Sequence, residues 1–431
     1  MKYAETLEYL EGLGKFGIHL GMERIEALLT HLGHPEQKIK TVHITGTNGK
    51  GSVSAMITNI LLCSGLKVGT FTSPHFVKYN ERIQLNGQDI SDEAFATTCT
   101  AVAGAVDFVK EQGMDQPTQF EVLTAAAFLY FALEQVDYAV IEVGLGGLWD
   151  STNVITPVVS VITNVTLEHT DRLGKTVEDI AMQKAGIIKD NVPVVTAATG
   201  EALGPIKAMS LFKQAPLYIY GQAFSAQEVL SSMQGQTFTL SSGYYNSNYD
   251  ILLPGEHQLS NTAVAVVAAK IMSKQDKRIT ELALHQGVAH TKWPGRLELI
   301  AQRPDVILDG AHNPSGATAL RRALDKYYPG QAIHFVFGMM ADKNMQQVSE
   351  ILFKTGDVVY TVRADAGARA ASAEQLAGIV GPQATSYAVL SDAYESACRE
   401  AGSAGIVCVC GSLYLIGSFK TWQQRSNYGK E

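Results

Sequence analysis

Short apolar runs alternate with longer segments of helical spacing along most of this 431-residue chain. Thr41–Thr45, Val68–Thr72, Tyr138–Val143, Val158–Asn164 and Val192–Thr196 are brief and rich in Val and Ile, which predicts buried strands. Between them, Val53–Ser64, Glu121–Glu134 and Thr176–Ile187 have the length and spacing of helices. Alternation of this kind predicts an α/β fold with a mostly parallel sheet covered on both faces. From about Tyr218 to Leu253 the pattern changes to short polar and aromatic stretches of period two, as in Thr237-Phe238-Thr239-Leu240, which predicts a small β insertion. A helix follows over Ala263–Ile271, with Asn261 just before it. The turn Trp293-Pro294-Gly295-Arg296 then interrupts the pattern and suggests a domain boundary, giving domains 1–294 and 295–431. Beyond it, Asp305–Asp309, Ala332–Gly338, Val358–Val362 and Ile406–Gly411 predict a smaller, Rossmann-like α/β domain.

Composition narrows the class. Hydrophobic residues make up 46% and charged residues 18%, as expected of a globular enzyme with a sizeable core. The net charge of −8 and pI near 5.8 argue against nucleic acid as the main partner, so any anionic substrate needs a local basic site. Cys63, Cys99, Cys398, Cys408 and Cys410 are odd in number and lack paired metal-ligand spacing, which reads as reduced thiols in a cytoplasmic protein without a zinc site. The N-terminal stretch lacks the apolar centre of a signal peptide, and no run is long enough to span a bilayer. The expected partners are therefore small molecules, with neither nucleic acid nor membrane, and the expected state is a monomer.

The richest segment for chemistry is Thr45-Gly46-Thr47-Asn48-Gly49-Lys50-Gly51-Ser52, set between the strand ending at Thr45 and a helix. Strand, glycine-rich turn and helix together cradle phosphate, because backbone N–H groups converge on the anion and the helix N-terminus adds partial positive charge. Lys50 can reach the outer phosphates of a nucleoside triphosphate, and the Ser52 hydroxyl can ligate Mg²⁺. Gly51 separates lysine from serine, a departure from the standard phosphate-loop spacing.

Other polar residues also follow predicted strands, the edge at which parallel sheets bind ligands. Ser73 follows the second strand, Glu142 ends a very apolar one, and His169 follows another. Hydroxyl and carboxylate oxygens with one imidazole suit Mg²⁺. Taken singly, Glu142 reads equally well as an ion-paired strand end, and His169 as structural. The loop Gly144–Asn153 is either a turn or a substrate contact. In the second domain, Asp309-Gly310-Ala311-His312-Asn313-Pro314 ends a strand. Asp309 and His312 can touch nucleotide or an incoming amine, while Asn313 and Pro314 read as a helix start. Arg296 at the domain junction is either a phosphate contact or a solvated cation, and Lys184 on its own reads as a surface lysine.

Together these motifs resemble the folylpolyglutamate synthase/dihydrofolate synthase family, a branch of the Mur-ligase-like amide ligases. The resemblance rests on His43–Ser52, Thr72-Ser73-Pro74-His75, Glu142–Gly147, Glu168-His169 with Leu173-Gly174, Lys184–Ile188, Trp293–Glu298 and Asp309–Pro314, in that order. It implies ATP and Mg²⁺, with K⁺ as a further candidate cation. It implies that Thr47, Asn48, Gly49, Lys50, Gly51 and Ser52 bind ATP together with Asn261, Arg296 and Asp309. Ser52, Ser73, Glu142 and His169 would hold metal. Lys184 matches a lysine that is carbamylated in this family, and Lys50, Lys184, His312 and Asp309 would carry the catalysis. Thr118, Phe120, Asp150 and Ser151 would contact the pterin-bearing acid, with His312 and Ser412 near glutamate. One departure is Leu148-Trp149-Asp150, where many members have Arg-Leu-Asp.

The reaction so implied joins L-glutamate to a folate or dihydropteroate carboxylate through an acyl phosphate. Three alternatives compete with it. A Mur-type cell-wall ligase is disfavoured because little chain precedes the phosphate loop. A nucleotide switch would hydrolyse ATP without stimulation by glutamate. A bare scaffold leaves the polar strand ends unexplained.

Overall fold

All five apolar runs of the first half become strands of one sheet in the computed structural model, which describes residues 1–14, 21–243, 245–364 and 367–428. Its strands are β1 (Lys40–Thr45), β2 (Val68–Phe71), β3 (Ile83–Leu85), β4 (Gln88–Asp89), β5 (Tyr138–Glu142), β6 (Val159–Ile162), β7 (Val194–Thr196) and β8 (Leu217–Ile219). They lie in the order β4-β3-β2-β5-β1-β6-β7-β8. From β2 to β8 each neighbouring pair is parallel, while β3 and β4 add an antiparallel edge. The buried patterns of β2, β5 and β6, and of β1 after the exposed Lys40, follow from helices on both faces.

On one face, the helices Tyr3–Gly14, Glu23–His31, Asp92–Glu111 and Gln119–Leu133 pack Leu10, Leu28, Phe95, Phe128 and Phe131 into a core cluster. A separate cluster joins β6 and β7 to the helices Val177–Ala185 and Leu203–Phe212 through Ile162, Val194, Ile180 and Ile206. The helix Gln119–Leu133 starts where Thr118 and Glu121 form a reciprocal capping box, and Thr176 with Asp179 does the same for Val177–Ala185.

The helix predicted from Ala263 spans His257–Met272, so Asn261 lies within it rather than before it. The polar residues of its first turns broke the apolar pattern, yet Asn261 is buried because its side chain faces Gly49. The predicted β insertion is present as β9 (Ser225–Ser232), β10 (Gly235–Ser242) and β11 (Tyr245–Ile251), in the order β11-β10-β9. In β10 the period-two pattern holds, with Phe238 and Leu240 fully buried.

The remaining strands are β12 (Glu298–Ala301), β13 (Asp305–Asp309), β14 (Ile333–Phe337), β15 (Val358–Thr361), β16 (Ala384–Ser386) and β17 (Ile406–Cys410). They form a second sheet, β12-β13-β17-β14-β15-β16, parallel except at β12. Its core packs Ile307, Leu320, Phe335, Phe337, Val359 and Cys408. The helix Pro314–Tyr327 begins where Asn313 Oδ1 accepts from Gly316 N at 2.7 Å with proline in the first helical turn, as the sequence predicts.

The chain divides into two compact units. One comprises Met1–Gln227, Thr239–Tyr249 and Ser260–Thr291; the other comprises Glu228–Phe238, Asp250–Leu259 and Lys292–Glu431. Among the described residues no helix is long and apolar enough to cross a membrane.

Within the first unit, the helices Lys50–Cys63 and Glu281–Ala289 approach so closely that a Cβ on Gly287 would lie 2.4 Å from Ile60 Cα and 2.5 Å from its N. Glycine in an open helix costs about 1 kcal/mol relative to alanine. Here the clash is with backbone, which cannot rotate away. Gly287→Ala is therefore expected to destabilise the protein by about 1–3 kcal/mol, the usual cost of overpacking. Urea denaturation would show a lowered midpoint; a raised one would mean that helix propensity outweighs the contact.

Candidate functional site

The adjacent parallel strands β2, β5, β1 and β6 end along one edge of the first sheet, and each delivers a polar loop there. β1 leads into the phosphate loop, whose conformation is dictated by its glycines. Gly46 has φ +151°, and a Cβ there would fall 1.8 Å from Thr163 Oγ1. Gly49 has φ +86°, and a Cβ there would fall 2.5 Å from Asn261 Oδ1. Only glycine meets both demands.

The residues after β6 brace this loop. Asn48 N donates to Asn164 Oδ1 (2.8 Å), Thr47 N to Asn164 O (2.9 Å), and Thr163 Oγ1 to Asn48 O (2.6 Å). The helix Lys50–Cys63 starts directly at the loop, so Lys50 and Gly51 occupy its first turn, and Ser52 there is 2% exposed. Lys50 Nζ folds back and donates to Gly46 O (3.1 Å) and Thr47 O (3.3 Å).

β5 ends at Glu142, which is 3% exposed, and continues into the glycine-rich loop. Ser73 follows β2 and is half-buried. After β6, His169 adopts φ +51° and is exposed, with Nε2 at 3.9 Å from Glu168 Oε1. Thr45, Thr47, Lys50, Glu168, His169 and Lys184 share the walls of a small recess with Gly144–Gly146.

Lys184 is not the surface lysine its local sequence suggests. It sits in the last turn of Val177–Ala185 and is 4% exposed. Burial, with a further push from Lys50, lowers its pKa to about 7 against the opposing pull of Glu168 and Asp150. A substantial neutral fraction near neutral pH makes its amine a nucleophile.

The residues expected at the pterin-bearing substrate cluster around the glycine-rich loop, but most of their polar atoms have protein partners. Thr118 Oγ1 donates to Glu121 Oε2 (2.8 Å) in the capping box. Ser151 Oγ pairs with Thr124 Oγ1 (3.0 Å). Asp150 is buried; its carboxylate accepts from Leu145 N (2.9 Å) and from Thr152 N (3.0 Å). Half-buried Phe120 presents an apolar face beside Gly144, where a Cβ would lie 2.4 Å from the ring, and it neighbours Phe71 at 5.8 Å between ring centroids.

In the second unit a comparable cluster forms at the carboxyl ends of β13 and β17. Asp309 Oδ2 accepts from Leu297 N (2.9 Å) and Oδ1 from Ala311 N (2.8 Å). Burial raises the Asp309 pKa, opposed chiefly by Arg296. Arg296 Nη1 donates to Gly295 O (3.1 Å), and His257, held neutral by burial and by Arg296, has its pKa lowered to about 4. His312 Nδ1 pairs with Gly310 O (2.8 Å), and buried Ser412 Oγ accepts from Tyr414 N (3.1 Å). Asn261 belongs to the first unit, beside Gly49.

The sequence pointed to the segments beginning at Thr45 and Asn164 but not to the bracing by Thr163, Asn164 and Thr166, nor to that of Thr45, whose Oγ1 donates to Gly146 O at 2.6 Å. Their signal was their position: each lies at or just after a strand end, where the side chains of Thr45, Thr163 and Asn164 and the backbone N–H and C=O of Thr166 tie neighbouring loops together.

Known proteins share this arrangement. Residues 44–269 match the Mur ligase middle domain, and residues 295–413 match the Mur ligase glutamate ligase domain. The dihydrofolate synthase/folylpolyglutamate synthase of Bacillus subtilis is 37% identical over 424 residues, covering 97% of this chain and 98% of that protein. The folylpolyglutamate synthase of Lacticaseibacillus casei is 36% identical over 434 residues, with 97% and 98% covered. Among solved structures, E. coli FolC in complex with DHPP and ADP superposes with a TM-score of 0.90 at 29% identity, covering 99% of both chains. The apo form of the L. casei enzyme gives 0.86 at 34% identity, covering 98% of this chain and 100% of the other. The chain therefore belongs to the folylpolyglutamate synthase/dihydrofolate synthase family of Mur ligases.

Proposed function

We propose that this protein is an ATP-dependent ligase that joins the α-amine of L-glutamate to a carboxylate of a folate or dihydropteroate. The observation that carries this reading is the recess walled by both the phosphate-loop lysine, Lys50, and the buried Lys184, whose pKa is lowered to about 7. Membership of the family supports it, as do relatives named for both synthase activities and a relative bound to ADP and DHPP.

A carboxylate is a poor electrophile, and transfer of the γ-phosphoryl group to its oxygen makes an acyl phosphate. The glutamate amine then attacks that carbonyl and expels phosphate. Thr47–Ser52 would bind the triphosphate with Asn261, and Arg296 and Asp309 would serve the nucleotide from the second domain. Lys50 would stabilise charge in phosphoryl transfer. Phe120 offers a flat apolar surface to a pterin ring, with Asp150 and Ser151 shaping the loop beside it. His312 and Ser412 are assigned to the glutamate side.

The donor set fits Mg²⁺. Ser52 and Ser73 offer hydroxyls, Glu142 a buried carboxylate and His169 one imidazole. Among the described residues no group of three or more His, Cys, Asp or Glu forms a ready metal cage. When bound, Mg²⁺ would neutralise phosphate charge; K⁺ is a further candidate cation. The neutral fraction of Lys184 favours carbamylation, which would replace a cation crowded by Lys50 with an anion suited to a metal-phosphate site. Domains 1–294 and 295–431, a monomeric state and a cytoplasmic location belong to the same proposal.

Three measurements test it. Phosphate release should require ATP, L-glutamate and an acid together, with dihydropteroate and reduced folates compared as the acid. Release that glutamate does not stimulate would favour a nucleotide switch instead. Lys50→Ala should lower kcat/KM by about 100-fold or more while circular dichroism stays unchanged; normal turnover would remove the lysine from the phosphate site. Lys184→Ala should lose most activity and regain part of it with added small carboxylates, whereas full activity without them would refute the carbamate.

A further inference from the structure

The glycine-rich loop is held from below by a buried hydrogen-bonded chain that the chemistry above does not use. His43, in the middle of β1, and Thr152 are both fully buried, and Asp150 is 5% exposed. Thr152 Oγ1 lies 2.5 Å from Asp150 Oδ1 and 2.9 Å from His43 Nε2. A carboxylate only accepts, so the Thr152 hydroxyl donates to Asp150 and its oxygen accepts from His43 Nε2–H. That assigns the neutral Nε2–H tautomer to His43, in keeping with a pKa lowered to about 3 by burial and by Lys189. Its Nδ1 has no hydrogen-bond partner among the described residues. The remaining acceptor capacity of Asp150 goes to Leu145 N and Thr152 N; burial raises its pKa, and the bonds from Thr152, Leu145 and Gly144 oppose that rise.

The chain therefore runs from the central strand to the loop amides that wall the recess. The same loop rests on the backbone around Lys184. Leu148 N donates to Gln183 O (2.8 Å), Asn153 Nδ2 donates to Leu148 O and Gly186 O (3.1 Å each), and a Cβ on Gly147 would lie 3.1 Å from Lys184 O. Displacing the loop would displace Lys184 with it.

We propose that His43 and Thr152 are positioning residues, which lock the Gly144–Gly147 loop and the Lys184 backbone through Asp150. The proposal deepens the ligase reading and rests on it for its kinetic consequence. Neither residue touches the recess, so each acts only through the loop. Buried polar chains of this kind are stiff when every donor is satisfied, and lose their geometry when one link is removed.

Thr152→Val keeps the side-chain shape and removes the hydroxyl, while Thr152→Ser keeps the hydroxyl. In the full-length protein, Thr152→Val is expected to speed hydrogen exchange at the Leu145 amide and to lower kcat for glutamate-dependent phosphate release, each about tenfold or more. The KM for ATP should stay within about twofold, and Thr152→Ser should restore both readouts to within about threefold. In ¹⁵N-histidine-labelled protein, the His43 Nε2–H resonance should be exchange-protected and should shift in Thr152→Val. Unchanged Leu145 exchange or unchanged kcat in Thr152→Val overturns the proposal, as does equal impairment of the Ser and Val variants. If Thr152→Val does not fold, His43→Phe bears the same test, because it keeps a ring of similar shape, removes the N–H that donates to Thr152 and leaves the Thr152–Asp150 bond; unchanged exchange and kcat in that variant overturn it. Absence of glutamate-dependent turnover in the unaltered protein would count against the ligase reading alone, since the exchange measurement still judges the lock.

Discussion

The parallel pairing of β1 with β5 and β6 is the constraint on which the first unit depends. Ile44 lies opposite Glu142 and Thr45 opposite Ile162, so three strands end almost level and release their loops at one edge. A one-residue slip would turn Val42, Ile44, Val140 and Val161 to the wrong faces and carry the loop ends out of register. The phosphate loop, the carboxylate at Glu142 and the His169 segment meet because burial on both faces permits only this alignment. Thr45, Thr163 and Asn164 then convert strand alignment into loop alignment through bonds of 2.6–2.8 Å.

Such an edge concentrates charge that the chain as a whole does not carry. The protein is net negative, yet Lys50 and Lys184 face the same recess. Lys184 bears the consequence, because burial and the neighbouring cation act in the same direction on its proton. Lys50 can satisfy its ammonium on the loop carbonyls Gly46 O and Thr47 O, and an incoming phosphate must compete with those neutral acceptors. An anion offers more to an ammonium than a carbonyl does, so the competition favours phosphate. The loop thus holds its lysine in place without binding it too strongly to release it.

Much of this was legible in the sequence, for a physical reason. The apolar runs that became β1, β5 and β6 are buried on both faces, and continuous Val/Ile segments between helices have few other uses. The glycines of the phosphate loop were equally readable, since both Gly46 and Gly49 are needed at positive φ beside another chain segment. What escaped depended on contacts distant in sequence. Lys184 reads as a surface residue until the glycine-rich loop is folded over its helix. Asn261 reads as a residue before a helix until Gly49 is seen to face it. The bonds from Leu145 and Thr152 to the Asp150 oxygens are likewise revealed by no spacing rule.

The second unit repeats the principle on its own sheet. β13 and β17 pair in register, with Asp309 opposite Cys410, so the Asp309–Asn313 turn and the Gly411-Ser412 turn emerge together. Burial would make the Asp309 carboxylate costly, and the chain answers with two backbone amides and the nearby Arg296. Burial, with Arg296 adding to it, lowers the pKa of His257. One cation thereby acts on the charge of two buried neighbours, while among the described residues its guanidinium makes one hydrogen bond, to the Gly295 carbonyl. A planar guanidinium has five N–H donors, and a single carbonyl contact leaves capacity for the forked geometry that suits phosphate. The group that organises this corner of the fold is thus also the one best equipped to leave its internal partner for an anionic ligand.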